Sequence, residues 1–172
     1  YKFILGYLVF GLLGFASIAT LSSRMTERYL IREQADLLYD EANQVASTYS
    51  GMYHGKDMDL ISSYPQLVGT AHYLHSQIWI IDRQGKIVVD SDQSERTGRV
   101  IDRFDPTAAG NKSYTIGTFY DQFTYDVLSV HAPITGNYTT YGYVVIHMPL
   151  SVLQNTRDGI LNIVYLTLAV VF

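Results

Sequence analysis

The chain has 172 residues, no cysteine and a formal net charge of −4 at pH 7. This length suits one domain with accessory segments, and the negative charge argues against a nucleic-acid-binding surface. Without cysteine the chain has no disulfide framework and no thiolate metal site.

The first predicted element is an apolar helix at residues 3–21, which contain no charged side chain. A stretch of about 19 apolar residues is long enough for a helix to cross the hydrocarbon core of a membrane. A cleaved signal peptide is the alternative, because Ser17 and Ala19 form a small-x-small pattern. We expect a transmembrane helix here.

Charged residues follow, but apolar residues continue at alternating spacings of four and three, which predicts a long helix over residues 24–50. Two interpretations of this stripe stay open: it packs on the domain's own sheet, or it forms a dimer interface. Its members are Ile31, Ala35, Leu38, Ala42, Val45 and Tyr49.

A second helix is predicted at residues 57–75, interrupted or restarted near Pro65. Residues 78–81 and 86–89 are rich in β-branched side chains, and residues 82–85 between them have turn chemistry, which predicts a β-hairpin. The polar residues 91–112 predict a long loop with a short helix near Pro106, and loops of this length are often functional.

Three further strands are predicted at residues 114–120, 124–133 and 140–148, with a turn at residues 135–137. Pro149 suits the first position of a new helix. That helix leads to an apolar run at residues 160–172, which we interpret as a truncated second transmembrane helix; a buried helix is the alternative. The order of elements predicts an α+β fold with a five-stranded antiparallel sheet.

Alternation along the last two strands predicts the character of each sheet face. Leu128, Val130, Ala132, Val144, Ile146 and Met148 make one plain core face. The opposite face is aromatic and polar together, which suits either a small-molecule pocket or a solvated sheet surface. As ligand-binding residues we predict Tyr125, Ser129, His131, Tyr143 and His147, with Arg99 and Arg103 contributed by the loop. If the strands are antiparallel neighbours, the two histidines could approach one another, depending on register.

The sequence shows no catalytic motif, and we expect no catalytic residue, cofactor or metal ion in this segment. His72 and His75 share a helix face but have no third ligand nearby in sequence. The loop region carries four acidic side chains, Asp90, Asp92, Asp102 and Asp105. They alternate with arginines, which favours a solvated loop.

Several segments together resemble a known family. They are Trp-Ile-Ile-Asp-x-x-Gly-Lys-Ile-Val-Val-Asp-Ser at residues 79–91, then residues 130–134, residues 142–146 and Pro149-Leu150. In this order between two apolar ends, the chain resembles the PAS-like extracytoplasmic PDC or single-Cache domains of bacterial sensor histidine kinases and chemoreceptors.

The resemblance implies a multi-pass cell-membrane protein with an extracytoplasmic sensor domain at residues 22–148 and an output helix at residues 149–172. It implies a homodimer, an unknown small-molecule or protein stimulus, and signal coupling through Pro149 and Leu150. The parent two-component histidine kinase would use ATP and a cytoplasmic response regulator. A chemoreceptor or cyclase sensor, and a membrane-anchored binding or scaffold protein without signalling, are the alternatives.

Overall fold

The computed structural model describes residues 2–54, 60–92, 95–107 and 114–171. Residues 33–150 form one compact unit, and residues 1–32 with 151–172 form another. In chain order the elements are α1 (Lys2–His54), α2 (Leu60–Tyr73), β1 (Gln77–Asp82), β2 (Ile87–Asp90), β3 (Tyr114–Gly117), β4 (Val127–Gly136), β5 (Thr139–Pro149) and α3 (Leu150–Val171).

The five strands form one sheet in the order β2-β1-β5-β4-β3, and every neighbouring pair is antiparallel. This confirms the predicted α+β fold with a five-stranded antiparallel sheet. The turn between β4 and β5 differs from the prediction: it is centred on Asn137 and Tyr138, whose φ angles are 49° and 60°. Two consecutive left-handed residues match the right-handed twist of the flanking strands.

The predicted strand at residues 114–120 is too long, because β3 ends at Gly117. Phe119, Tyr120 and Asp121 have φ angles of 44°, 53° and 58°, which is a left-handed conformation that no strand can continue. The next strand accordingly begins at Val127 and not at residue 124.

α1 buries most of its predicted apolar stripe within the 33–150 unit. Ala35, Leu38 and Ala42 are fully buried, and Tyr49 is 2% exposed. The Tyr49 hydroxyl accepts a hydrogen bond from the hydroxyl of Ser63 on α2 at 3.2 Å. Ile31 and Val45 are only half-buried, and Ala46 continues the buried stripe in place of Val45. Most of the stripe is therefore buried inside its own unit, and a dimer interface along α1 stays a prediction.

α2 runs through Pro65 without a break, so the predicted interruption is wrong. Leu67 and Ala71 are buried on its inner face, and this packing holds the helix together beyond the proline. The predicted start near residue 57 lies outside the described residues.

Both faces of the sheet are buried. The predicted core face is at most 3% exposed, and it includes Ile78, Ile80, Leu128, Val130, Ala132, Ile134, Val144, Ile146 and Met148. The opposite face is covered as well, since Trp79, Ile81, Val127, Val145 and His147 are all at most 1% exposed. The second face therefore belongs to the interior and is not a solvated surface.

The long loop is attached to the edge of the sheet beside β2. The Gly98 amide donates a hydrogen bond to the Ile87 carbonyl, and the Ile101 amide donates one to the Gly85 carbonyl, each at 2.8 Å. In return, the Ile87 amide donates to the Arg99 carbonyl at 2.9 Å. Residues 101–107 contain turns and no helix, so the short helix predicted near Pro106 is absent from that described stretch. Residues 93–94 and 108–113 of the predicted loop lie outside the description.

In the second unit the N-terminal part of α1 and α3 run antiparallel to each other. The rings of Phe15 and Tyr165 lie 6.5 Å apart, and Arg157 contacts Glu27 at 3.5 Å. Among the described residues, one helix contains a segment long and apolar enough to cross a membrane, within Val9–Gly51. Both transmembrane helices, at residues 3–21 and from residue 160 onward, stay predictions.

Candidate functional site

A cleft of about 380 Å³ opens at one end of the sheet face that the loop covers. A volume of this size lies within the usual range for small-molecule sites. The cleft is bounded by the end of α2, the starts of β1 and β4, the end of β5 and the segment before β4. Its walls are formed by Val68, Ala71, His72, His75, Ser76, Gln77, Ser91, Asp92, Phe123, Tyr125, Val127, His147 and Pro149.

His147 lies at the floor of this cleft because β5 is the central strand and carries it between β1 and β4. Its register partners are Gln77 on β1 and Ser129 on β4. The Ser129 hydroxyl lies 2.8 Å from Nδ1 of the ring, while Nε2 is buried and has no hydrogen-bond partner among the described residues. Burial, and to a smaller extent the positive charge of Arg96, lowers the pKa of His147 to about 3.

Aromatic side chains surround the other sides of His147. The ring centroids of Trp79 and Phe119 each lie 4.3 Å from that of His147, and Phe123 lies at 5.0 Å. Trp79 and Phe123 stack nearly parallel at 5.3 Å. These rings fill the central part of the sheet face, so the open volume is confined to the end nearest α2.

Arg96 supplies the cation of this region. Its guanidinium lies 5.0 Å from the centre of the Phe123 ring and 5.7 Å from that of Trp79, and it donates to the Gln122 carbonyl at 3.5 Å. This geometry is a cation–π arrangement on two stacked rings. It also places positive charge close enough to oppose protonation of His147.

The two predicted loop arginines lie elsewhere. Arg99 is exposed and pairs with β2 through its backbone. The Arg103 side chain is 91% exposed and contacts only Asp102, at 4.0 Å, among the ion pairs of the described residues. Neither residue lines the cleft, which corrects the prediction for both; attachment of the loop to the β2 edge turns their side chains outward.

Of the other predicted ligand-binding residues, Tyr125 and His147 line the cleft, and Ser129 lies behind the His147 ring. Tyr125 precedes β4 and is half exposed at the rim. His131 and Tyr143 lie under the loop and do not line the cleft, with ring centroids 6.2 Å apart.

His131 is held beneath the loop by a hydrogen bond with the Pro106 backbone. Burial lowers its pKa, and that hydrogen bond partly offsets the effect. Val145 is its cross-strand partner, so the register does not bring His131 opposite His147. The two histidines therefore belong to different environments on the same sheet face.

His72 and His75, for which the sequence offers no third metal ligand, lie exposed at the rim of the cleft together with Asp92. In the described part of the chain, no three histidine, aspartate or glutamate side chains come together as a metal-binding group. The Asp92 carboxylate instead accepts a hydrogen bond from the Gln77 amide at 2.8 Å.

Sequence reasoning missed Arg96, Phe119 and Phe123 as site residues, and it used Trp79 only as part of a strand. The available signal was the pair of phenylalanines at residues 119 and 123, which is unusual in a polar connection between strands. An aromatic residue in a loop has no periodicity to reveal which surface it covers, so the contact partners could not be assigned.

No protein-family model and no curated protein sequence matches the chain. Two solved structures of the Campylobacter jejuni chemoreceptor Tlp3 are similar in fold: its sensory domain (TM-score 0.59) and its ligand-binding domain in complex with L-valine (TM-score 0.54). Both are 12% identical, and the matches cover 82% and 83% of this chain and 64% of each Tlp3 chain.

The ligand-binding domain of the Pseudomonas aeruginosa PAO1 amino acid chemoreceptor PctC, in complex with GABA, matches with a TM-score of 0.50 at 14% identity, over 81% of this chain and 64% of that one. The sensor domain of the V. cholerae histidine kinase DctB reaches a TM-score of 0.43 at 16% identity, over 81% and 60% of the two chains. The chain thus spans less than two thirds of the length of each of these solved domains. It has the PAS-like fold of PDC, or Cache, sensor domains, which confirms the resemblance found in its sequence.

Proposed function

We propose that this chain is the extracytoplasmic sensing and transmembrane-transducing portion of a bacterial sensor histidine kinase. One observation carries the proposal: the strand that lines the cleft continues without interruption into α3. His147 and Pro149 of β5 both line the cleft, and α3 begins at Leu150. A ligand in the cleft would therefore contact the strand that leads directly to the output helix.

The junction is also tied to the segment that forms the other wall of the cleft. The Leu150 amide donates to the Asp126 carbonyl at 3.0 Å, and Pro149 pairs with Val127 at the start of β4. Tyr125 and Val127 line the cleft on either side of Asp126. A shift of this wall on ligand binding would pass to the first turn of α3; couplings between sites are typically worth about 1–3 kcal/mol.

Membrane anchoring is the second part of the proposal, with the chain crossing the membrane twice and its central domain outside the cytoplasm. Residues 3–21 lack charged side chains, as do residues 159–172 of the α3 region. The antiparallel contacts Phe15–Tyr165 and Glu27–Arg157 support such a pair of helices, because the charged contact comes just beyond both apolar stretches. We propose a homodimer with a cytoplasmic response regulator as downstream partner.

The output type has a second candidate. The Tlp3 and PctC structures, with TM-scores of 0.50 to 0.59, are domains of chemoreceptors, so the same external domain would also serve a chemoreceptor. Such a receptor controls a separate kinase and carries no phosphoacceptor of its own.

Incubation of the full-length protein in native membranes with radiolabelled ATP and Mg²⁺ tests the kinase proposal. We expect acid-labile, base-stable phosphate on the protein, and its transfer to a response regulator. The same membranes with a non-hydrolysable ATP analogue are the control. No incorporation into the protein, with activation of an added separate kinase, would favour the chemoreceptor.

A further inference from the structure

Two buried polar atoms at the cleft lack hydrogen-bond partners among the described residues: Nε2 of His147 and Oγ of Ser76. Both residues line the cleft, and His147 is only 1% exposed. Buried polar atoms in folded proteins almost always form a hydrogen bond, with protein, water or ligand. Two such atoms along one opening are what a binding site leaves unsatisfied before its ligand arrives.

The buried end of the cleft carries no formal charge. The His147 ring is neutral near pH 7, since burial lowers its pKa to about 3, and the Ser76 hydroxyl is neutral as well. The charged Asp92 is exposed at the rim, where its carboxylate accepts a hydrogen bond from the side-chain amide of Gln77 at 2.8 Å. The Arg96 guanidinium stacks on Phe123 and donates to the Gln122 carbonyl.

We propose that the cleft binds a small molecule through an uncharged hydrogen-bonding group, such as a carboxamide or hydroxyl, carried on an apolar body. The inference rests on the proposed function, because it takes the cleft as the place where the stimulus binds. No described lysine or arginine lines the cleft, so a carboxylate at this depth loses its hydration without forming a direct ion pair, and an ammonium group also meets the positive charge of Arg96. An amide both donates and accepts, so it satisfies Nε2 in either tautomer of His147.

The walls explain the apolar body. Phe123, Val127 and Pro149 face the cleft from one side and Val68 and Ala71 from the other. A flat or compact apolar group between these side chains removes their surfaces from water, while the polar group reaches His147 and Ser76.

Isothermal titration of the full chain in detergent micelles with benzamide, benzoate and benzylamine tests the proposal. The three probes share one ring, and at neutral pH they are respectively uncharged, anionic and cationic. We expect benzamide to bind and the two charged probes to bind at least tenfold more weakly. Loss of one neutral hydrogen bond should weaken benzamide about threefold to tenfold in Ser76→Ala.

The double variant His147→Phe/Ser129→Ala removes Nε2 without leaving the Ser129 hydroxyl unpaired, and it should weaken benzamide similarly. Ser47→Ala is the matched control, since it changes an exposed serine of α1 that does not line the cleft and should leave the affinity unchanged. Ser76→Ala removes a hydroxyl that has no protein partner among the described residues, so it keeps the test valid if the double variant does not fold.

Equal or tighter binding of benzoate or benzylamine, weakened by Ser76→Ala, would overturn the ligand class and leave the sensing function intact. The inference would also be overturned if none of the three probes binds, or if neither Ser76→Ala nor His147→Phe/Ser129→Ala weakens the binding of benzamide. The phosphorylation assay uses none of these probes, so it decides the proposed function separately.

Discussion

Ser129 and His147 face each other directly across the β4–β5 ladder, with the serine hydroxyl 2.8 Å from Nδ1 of the imidazole. Both residues are at most 3% exposed. The contact fixes the ring so that Nδ1 is satisfied inside the protein and Nε2 is left for the cleft. One cross-strand pair thereby determines which atom of His147 is available to a ligand.

Ser129→Ala should destabilise the protein by about 1–3 kcal/mol, because it leaves Nδ1 buried without a partner. Urea unfolding followed by tryptophan fluorescence measures this, since Trp79 is the only tryptophan and is fully buried. Ser47→Ala, at an exposed position of α1, is the control and should change stability by less than about 0.5 kcal/mol. Equal effects of the two variants would contradict the role of the Ser129–His147 contact.

Stability should fall as the pH drops below about 6.5, the ordinary pKa of histidine. The folded protein keeps His147 neutral down to its lowered pKa of about 3, whereas the unfolded chain takes up the proton near pH 6.5. The unfolded state then binds one more proton, so the free energy of unfolding decreases by up to about 1.4 kcal/mol per pH unit between these values. The lowered pKa of His131 acts in the same direction.

Urea titrations between pH 7.5 and roughly pH 4.5, a range that brackets the histidine pKa, measure this slope. The control is His147→Phe/Ser129→Ala, which should lose most of it. An unchanged slope in that variant would show that other groups cause the pH dependence.

Gly142→Ala should destabilise the protein by about 1–3 kcal/mol, the usual cost of forcing extra atoms into a packed interior. A Cβ at this position would collide with the backbone carbonyl oxygen of Ile81 on the neighbouring strand. Gly69→Ala is the matched control, because a Cβ there meets nothing within 4 Å and the residue lies inside α2. It should stabilise the protein by about 0.5–1 kcal/mol. Thermal unfolding of both variants checks the opposite signs.

Much of the sheet could be predicted because its residues carry local signals. Ile78 to Ile81 are β-branched or aromatic, and Asp82 and Gly85 have the chemistry of the turn that follows. In the structure Asp82 accepts hydrogen bonds from the Gln84 and Lys86 amides at 2.8 and 2.9 Å, and Gly85 has a φ of 83°. Each of these features depends on a few neighbouring residues, which a sequence displays directly.

The cleft could be predicted only in part, because it depends on long-range placement. His147 and Tyr125 were identified from alternation, but the left-handed turn at Phe119 to Asp121 has no glycine to reveal it. That turn directs Phe119 onto His147 and limits the open volume. Arg96 could not be distinguished from Arg99 and Arg103, since only the attachment of the loop to β2 decides which side chain faces inward.

A Gly-Gly insertion after Leu150 should uncouple the cleft from the output while leaving binding intact. The insertion separates β5 from α3 beyond the Leu150–Asp126 hydrogen bond, so displacement of the strand no longer moves the helix directly. The measurement is the phosphorylation rate of the full-length protein with and without a compound that binds the cleft. The same insertion after Asn137, at the exposed β4–β5 turn, is the control and should preserve the response. A normal response with the Leu150 insertion would contradict direct linkage.

The central claim, that the sheet domain lies outside the cell between two membrane helices, is tested most directly by cysteine labelling, because the chain has no cysteine of its own. Tyr138→Cys places one thiol at a fully exposed turn, and Lys2→Cys places one before the first apolar segment. With a membrane-impermeant maleimide on intact cells, Tyr138→Cys should be labelled at once and Lys2→Cys only after permeabilisation. Labelling of Tyr138→Cys only after permeabilisation would place the domain in the cytoplasm and contradict the account.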